Sequence, residues 1–415
     1  MNDLDRTTDM TRRDLLRAGA AAAAAAALGP LARGEPTTAP ASQPGAATQP
    51  IPPLPVRPLG ATGAKVSVLN QGTYGLSRRL LDYTYAQGVR YFDTADCYRN
   101  GQSEAEIGDW FSRTGKRKEI FLATADHPGG SGKGDLGQLL TRIDKRLASL
   151  KTDYIDLFFI HGISVEEYGP QALEWPRSRE FKEVADKLRK SGKTKFVGFT
   201  CHDRQAPEFL QAAAEGGFLD AVMMSYNPVI GAADDKLNRA MDACAKAGIG
   251  MIAMKTMRGI GDQLKKGDLK GTPLPVAVIH AVLSDDRISS ICSEMRSFEH
   301  VEQNTGAARS FRKAMTSAER HDLQRAIVAA GMTFCPGCPA CRGGVPGTQA
   351  RVHDIVRYLS YYEQDGDRAT ARALYRALPA EARDWSGADL AAARQACACG
   401  VDYAAVLGRA EVKLA

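Results

Sequence analysis

Asp93 and Tyr98 stand five residues apart in "YFDTADCYRNG" (91–101), where a short apolar run, Tyr91 and Phe92, breaks into polar sequence. His161 closes a second apolar run, "YIDLFFIHG" (154–162). A carboxylate, a phenol and an imidazole at the ends of buried strands form a donor set for general acid–base work. A free phenol titrates near about 10, so a neighbouring cation is what would bring it toward working pH.

These groups need a scaffold, and the pattern around them supplies one. From Lys65 to Arg309, β-branched or apolar runs alternate with amphipathic helical stretches. The predicted strands are 65–73, 90–95, 120–125, 154–162, 195–201, 221–227, 250–256 and 288–295. Helix-like segments between them include 103–113, 136–150 and 237–248, and several end on glycine, as at Gly88, Gly192 and Gly248. Near-continuous apolar strands separated by helices predict a parallel sheet covered by helices, and eight such units predict a closed (β/α)8 TIM barrel. A doubly wound sheet would call for GxGxxG after the first strand, and the sequence there reads "NQGTYGL". In such a barrel the chemistry collects at the C-terminal strand ends. Those ends carry Gly72-Thr73, Asp93 with Tyr98, Thr124 to His127, His161, Thr200 to His202, Tyr226-Asn227, Lys255-Thr256, and Glu294 to Ser297.

Composition narrows the function classes. The chain has 415 residues, 44% apolar and 25% charged, with a net charge of +6. That is ordinary for a soluble globular protein, and no Lys/Arg-dense stripe interleaved with aromatics speaks for nucleic-acid binding.

The motifs "RPLGATGAKVSVLNQGTYG", "LLDYTYAQGVRYFDTADCYRNGQSEAEIGDW", "DYIDLFFIHG" and "GKTKFVGFTCH" resemble the aldo-keto reductases, in the expected order over residues 57 to about 309. The resemblance implies that a Tyr protonates a small carbonyl substrate, or takes the proton of an alcohol, while NADP carries the hydride. It implies Asp93, Tyr98 and His161 in the catalytic roles. It also implies cofactor contacts from Gly72, Thr73, Thr200, Lys255, Arg296, Ser297, Gln303 and Asn304, the last four lying in "SEMRSFEHVEQN" (293–304). The family's strand-three Lys is Ala125 here, which leaves a non-catalytic ligand- or partner-binding barrel, or an iron–sulfur electron-transfer protein, as the alternative reading. Arg99, His127 and Lys255 are the candidate stand-ins, His127 first among them. The positions that grip the nicotinamide read Thr200-Cys201-His202, Met223 and about Met254.

Five of nine cysteines cluster near the C-terminus, Cys335, Cys338 and Cys341 in "TFCPGCPACRGGVPG" and Cys397 and Cys399 in "QACACGVDY". CxxCxxC opens a ferredoxin-type ligand run, with Cys397 or Cys399 to complete a [4Fe–4S] cluster. Structural zinc and disulfides are the alternatives. One branch of the resembling family carries such a C-terminal helical extension, which would bring a redox partner protein into play. The four remaining cysteines, 97, 201, 244 and 292, lie within the predicted barrel, and Cys97 and Cys201 fall near its mouth.

At the other end, Arg12-Arg13 precede Leu15-Leu16, Arg17 and an apolar run from Ala18 to Leu28. The run is too short to span a membrane and has the layout of a twin-arginine export signal, which predicts a periplasmic or otherwise exported protein with no span after signal removal. The expected organisation is signal 1–33, Pro/Thr/Ala-rich linker 34–55, barrel 56–315, and a helical cysteine-containing domain 316–415.

Overall fold

The computed structural model describes residues 51, 53–75, 77–129, 134–228, 234–257, 267–330, 345–365, 368–397 and 401–415. Eight parallel strands close into a barrel, each followed by a helix. The strands are β1 (Leu69–Gly72), β2 (Tyr91–Ala95), β3 (Phe121–Asp126), β4 (Ile155–Ile160), β5 (Thr194–Cys201), β6 (Ala221–Ser225), β7 (Gly250–Met254) and β8 (Ile288–Ser293). The ring closes by pairing β8 with β1. The following helices are α1 (Arg78–Ala86), α2 (Gln102–Thr114), α3 (Leu139–Leu150), α4 (Arg179–Lys190), α5 (Ala206–Gly216), α6 (Asp235–Lys246), α7 (Leu274–Leu283) and α8 (Phe298–Ser310).

The two-residue period of a strand sorts side chains between two cores. In β2, Tyr91 and Ala95 join the barrel interior with Ala123, Ala125, Leu157, Phe159 and Met223. Phe92 faces the helices with Leu122, Phe158 and Phe199. The same alternation turns Asp93 inward, which is why a buried strand carries a carboxylate into the barrel. In register, Asp93 sits between Gly72 and Ala123, and Ala95 lies opposite Ala125.

The first predicted strand, 65–73, divides in two. Lys65–Ser67 pairs antiparallel with Val56–Pro58, and only Leu69–Gly72 enters the barrel. Leu59 and Val66 of this hairpin pack into the interior core and plug the barrel. Gly60 makes the close approach possible: it has φ +52, and a Cβ there would lie 2.2 Å from the Gly248 carbonyl oxygen.

Beyond α8, helix Ser317–Ala330 packs Leu323 and Ile327 against Leu274, Ala277 and Val278 of α7. A second core begins at Val345 and gathers Ile355, Val356, Leu359, Tyr375, Leu407 and Leu414. It is built by helices Val352–Ser360, Arg368–Ala377, Leu390–Ala396 and Tyr403–Leu414. Among the described residues no helix is long and apolar enough to cross a membrane. The twin-arginine segment and most of the linker lie outside the described residues, as do Cys335, Cys338, Cys341 and Cys399.

Candidate active site at the barrel mouth

Asp93 is 4% exposed, and its side-chain contact is with the Cys292 thiol, which reaches Oδ1 at 3.7 Å from β8. No cation partners it among the described residues. Burial without a counter-charge pushes its carboxyl up to about 8, the Cys292 contact offsetting only part of the cost. Ala125 occupies the position of the missing lysine and is itself buried in the interior core.

Tyr98 lies in the loop after β2, where Tyr98 N bonds to the Ala95 carbonyl at 3.2 Å. Its ring meets Tyr74 edge-on at 5.3 Å and His161 edge-on at 5.7 Å between centroids. Burial first, then the charge of Asp93, raises the phenol well above its usual value. The proposed proton donor and the proposed carbonyl-orienting imidazole therefore stand side by side, with Asp93 beneath them.

None of the three candidate cations takes the lysine's place. Arg99 turns away to Glu106 at 2.9 Å. Lys255 hydrogen-bonds the Tyr361 hydroxyl at 3.3 Å. His127 pairs with Asp96 rather than Asp93, its Nδ1 lying 3.1 Å from Oδ1. The expectation that His127 substitutes for the lysine fails because Asp96 stands closer to it along the rim and carries the countercharge. A buried network holds that segment: Asp126 pairs with Arg142 at 3.0 Å and Arg146 at 3.4 Å, and Arg146 reaches Glu104 at 3.2 Å.

His161 follows β4, with its backbone N–H donating to the Asp126 carbonyl at 2.9 Å. Its Nδ1 lies 3.6 Å from Asp96 Oδ1 and 3.6 Å from the Cys97 sulfur. Burial lowers its basicity, and the nearby His127 adds to that against the pull of Asp96. For His127 the balance reverses, since the Asp96 hydrogen bond and charge outweigh burial and raise it. Burial would raise the Asp96 carboxyl too, but hydrogen bonds from both histidines hold it well below the usual carboxylate range.

The expected cofactor residues divide. Thr73 is fully buried, its hydroxyl donating to the Asp93 carbonyl at 2.8 Å, beside Gly72 at the end of β1. The Thr200 hydroxyl accepts from Gly162 N at 2.8 Å and so fixes the turn that carries His161. Ser297 caps α8, its Oγ accepting from His300 N at 3.2 Å, and Asn304 donates to Ser293 Oγ at 2.9 Å. Gln303 and Arg296 are exposed, Arg296 paired with Glu294 at 2.9 Å. The α8 N-terminus, with Arg296 beside it, presents N–H groups and positive charge to anionic groups. Lys255 and His202, by contrast, are engaged by the C-terminal helices, His202 through Arg357 at 3.4 Å.

Asp96, Cys97 and Cys292 complete the rim and were not among the predicted site residues. Asp96, His127 and His161 each directly follow a strand end, with Cys97 one residue further, and that repetition over three consecutive strands was the available signal.

Residues 69–275 match the Aldo/keto reductase family. An aldo-keto reductase of Strobilurus tenacellus is 28% identical over 227 residues, 50% of this chain and 63% of that protein. An aldo-keto reductase of Schizosaccharomyces pombe, named with NADP(+), is 28% identical over 161 residues, 37% of this chain and 43% of that protein. The chain thus spans less than two thirds of the length of these curated relatives. Among solved structures, the holo form of an aldo-keto reductase from Bacillus halodurans superposes with a TM-score of 0.52. It is 22% identical and covers 66% of this chain and 96% of that one, a likeness of fold.

Proposed function

The barrel belongs to the aldo/keto reductase family, and from that premise we propose that it reduces a small carbonyl compound, or oxidises the corresponding alcohol, with NADP as hydride carrier. The observation that carries this reading is the edge-to-face placement of Tyr98 and His161, 5.7 Å between ring centroids, near the buried Asp93, which the alternation with Tyr91 and Ala95 turns inward. NADPH, when bound, supplies the hydride. Tyr98 holds the proton that the carbonyl oxygen receives, and His161 orients that oxygen by a hydrogen bond. The phosphate end of the dinucleotide falls to the α8 N-terminus with Ser297, Arg296, Gln303 and Asn304, and the nicotinamide end to the mouth near Gly72 and Thr200. The test is a steady-state assay of NADPH oxidation against an aldehyde panel with the full chain. Tyr98→Phe is expected to lower kcat/KM by about a hundredfold or more. Equal rates in wild type and variant would sink the reading.

The tail and leader carry further parts of the proposal. Cys335, Cys338 and Cys341, completed by Cys397 or Cys399, hold a [4Fe–4S] cluster, with zinc as the alternative metal. Cys397 supports this, because its sulfur accepts a hydrogen bond from Val401 N at 3.4 Å, the kind of contact that tunes ligating thiolates. Such a cluster would pass electrons to a redox partner protein. The Arg12-Arg13 leader would carry the folded, loaded protein to the periplasm. A broad visible band at about 400 nm in the purified protein, lost on Cys338→Ser, checks the cluster. Cell fractionation of wild type against an Arg12→Lys/Arg13→Lys variant checks the route.

A further inference from the structure

Three consecutive strand ends bring four ligand-type side chains to one point. Asp96 and Cys97 follow β2, His127 follows β3 and His161 follows β4. The sheet itself fixes their backbones: Asp96 N donates to the Ala125 carbonyl at 2.9 Å, and His161 N to the Asp126 carbonyl at 2.9 Å. One donor atom from each side chain, a carboxylate oxygen, a sulfur and two ring nitrogens, lies within 4.8 Å of all the others. The individual approaches are 3.1 Å from His127 Nδ1 to Asp96 Oδ1, 3.6 Å from His161 Nδ1 to the same oxygen, and 3.6 Å from Cys97 Sγ to His161 Nδ1. An ion held tetrahedrally by bonds of about 2.0–2.3 Å puts neighbouring donor atoms roughly 3.3–3.6 Å apart. Three of the six pair spacings lie at or close to that edge, and all six are within 4.8 Å.

A simple ion pair explains only part of this geometry. One histidine suffices to neutralise Asp96, yet two Nδ1 atoms converge on the same carboxylate oxygen, and their rings stand 4.5 Å apart. The thiol beside them serves no ion pair at all. A central cation accounts for these three approaches at once.

We infer that Asp96, Cys97, His127 and His161 form a binding site for a divalent transition-metal ion of the Zn2+ class at the barrel mouth. The thiolate and carboxylate balance the two positive charges, and the neutral imidazoles bind through Nδ1. On binding, the thiol proton leaves to solvent, and each imidazole keeps its proton on Nε2. Sulfur and nitrogen donors select against Mg2+ and Ca2+, which take oxygen ligands. Cys97 is exposed and the other three are half-buried, so the ion has an entry path from solvent. The site uses none of the C-terminal cysteines and does not rest on the reductase reading.

The test strips the full-length chain with a chelator and titrates it with Co2+ as a spectroscopic substitute for Zn2+. Wild type is expected to take up one more equivalent than the Cys97→Ser/His127→Gln double variant. The difference spectrum should show the intense visible bands of four-coordinate Co2+ and a near-ultraviolet thiolate charge-transfer band. Cys97→Ser alone changes an exposed side chain, so the fold is kept. It is expected to lose that charge-transfer band and to weaken Co2+ binding by at least about tenfold. A Cys335→Ser/Cys338→Ser variant should retain both. Equal stoichiometry in wild type and double variant, or a charge-transfer band that follows the C-terminal cysteines instead of Cys97, overturns the inference. Reductase activity is not the readout, so the outcome is separate from that of the proposed function.

Discussion

Lys255, one residue beyond β7, donates to the Tyr361 hydroxyl at 3.3 Å and lies 4.9 Å from the centre of that ring. Arg357 makes a parallel contact to His202 beyond β5. The C-terminal helices thus grip the β5 and β7 side of the mouth, while β2, β3 and β4 carry the acid–base groups. The two halves of the rim have different occupations, one structural and one chemical.

Removing the grip should loosen the C-terminal helices before the barrel. Tyr361→Ala deletes both the hydrogen bond and the cation–π contact and is expected to cost about 1–2 kcal/mol. Tyr361→Phe keeps the ring and should cost about 1 kcal/mol or less. Urea unfolding of the three proteins side by side gives the order, and equal midpoints would refute the contact's role.

Restoring the missing cation is the most direct probe of the catalytic side. Ala125 lines the interior core on the strand paired with β2, opposite Ala95 and two residues beyond Ala123, the partner of Asp93. Ala125→Lys should place an ammonium between Asp93 and Tyr98 and raise kcat/KM for carbonyl reduction by about tenfold or more, roughly 1.4 kcal/mol of transition-state stabilisation. A variant that folds and shows no gain would mean that the phenol is not the proton donor.

Asp93 predicts a pH dependence with a definite sign. Its folded pKa is raised to about 8, against an unfolded value of about 3.9. Between those values the folded state holds one proton more, so this residue's contribution is fully present below about pH 4 and fades as pH rises through about 8. Asp93→Asn, neutral at every pH, should flatten that slope and gain on wild type in alkali. Chemical denaturation at pH 5, 7 and 9 measures it, and parallel wild-type and variant curves would contradict the assignment.

Strand packing offers an independent check of the barrel. Gly198 of β5 runs so close to β6 that a Cβ would lie 1.9 Å from the Ala221 carbonyl oxygen. Gly198→Ala must push the two strands apart and should cost about 1–3 kcal/mol. A thermal melt unchanged from wild type would argue against this register.

Much of this protein was written locally. Eight apolar runs spaced by helices specify the barrel, because each strand must bury both faces and each helix one. The two-residue period alone turns Asp93 inward, and the turn after β2 delivers Tyr98. Closure and register belong to the tertiary structure. Only the closed ring brings Cys292 to Asp93 across 199 positions of sequence. Only the alignment of three strand ends draws Asp96, Cys97, His127 and His161 to one point, and only docking of the C-terminal helices occupies Lys255. Local periodicity fixes which way a side chain faces. Which distant residue it meets depends on how strands pair around the ring and on which helices pack over its rim, and neither leaves a mark at short range.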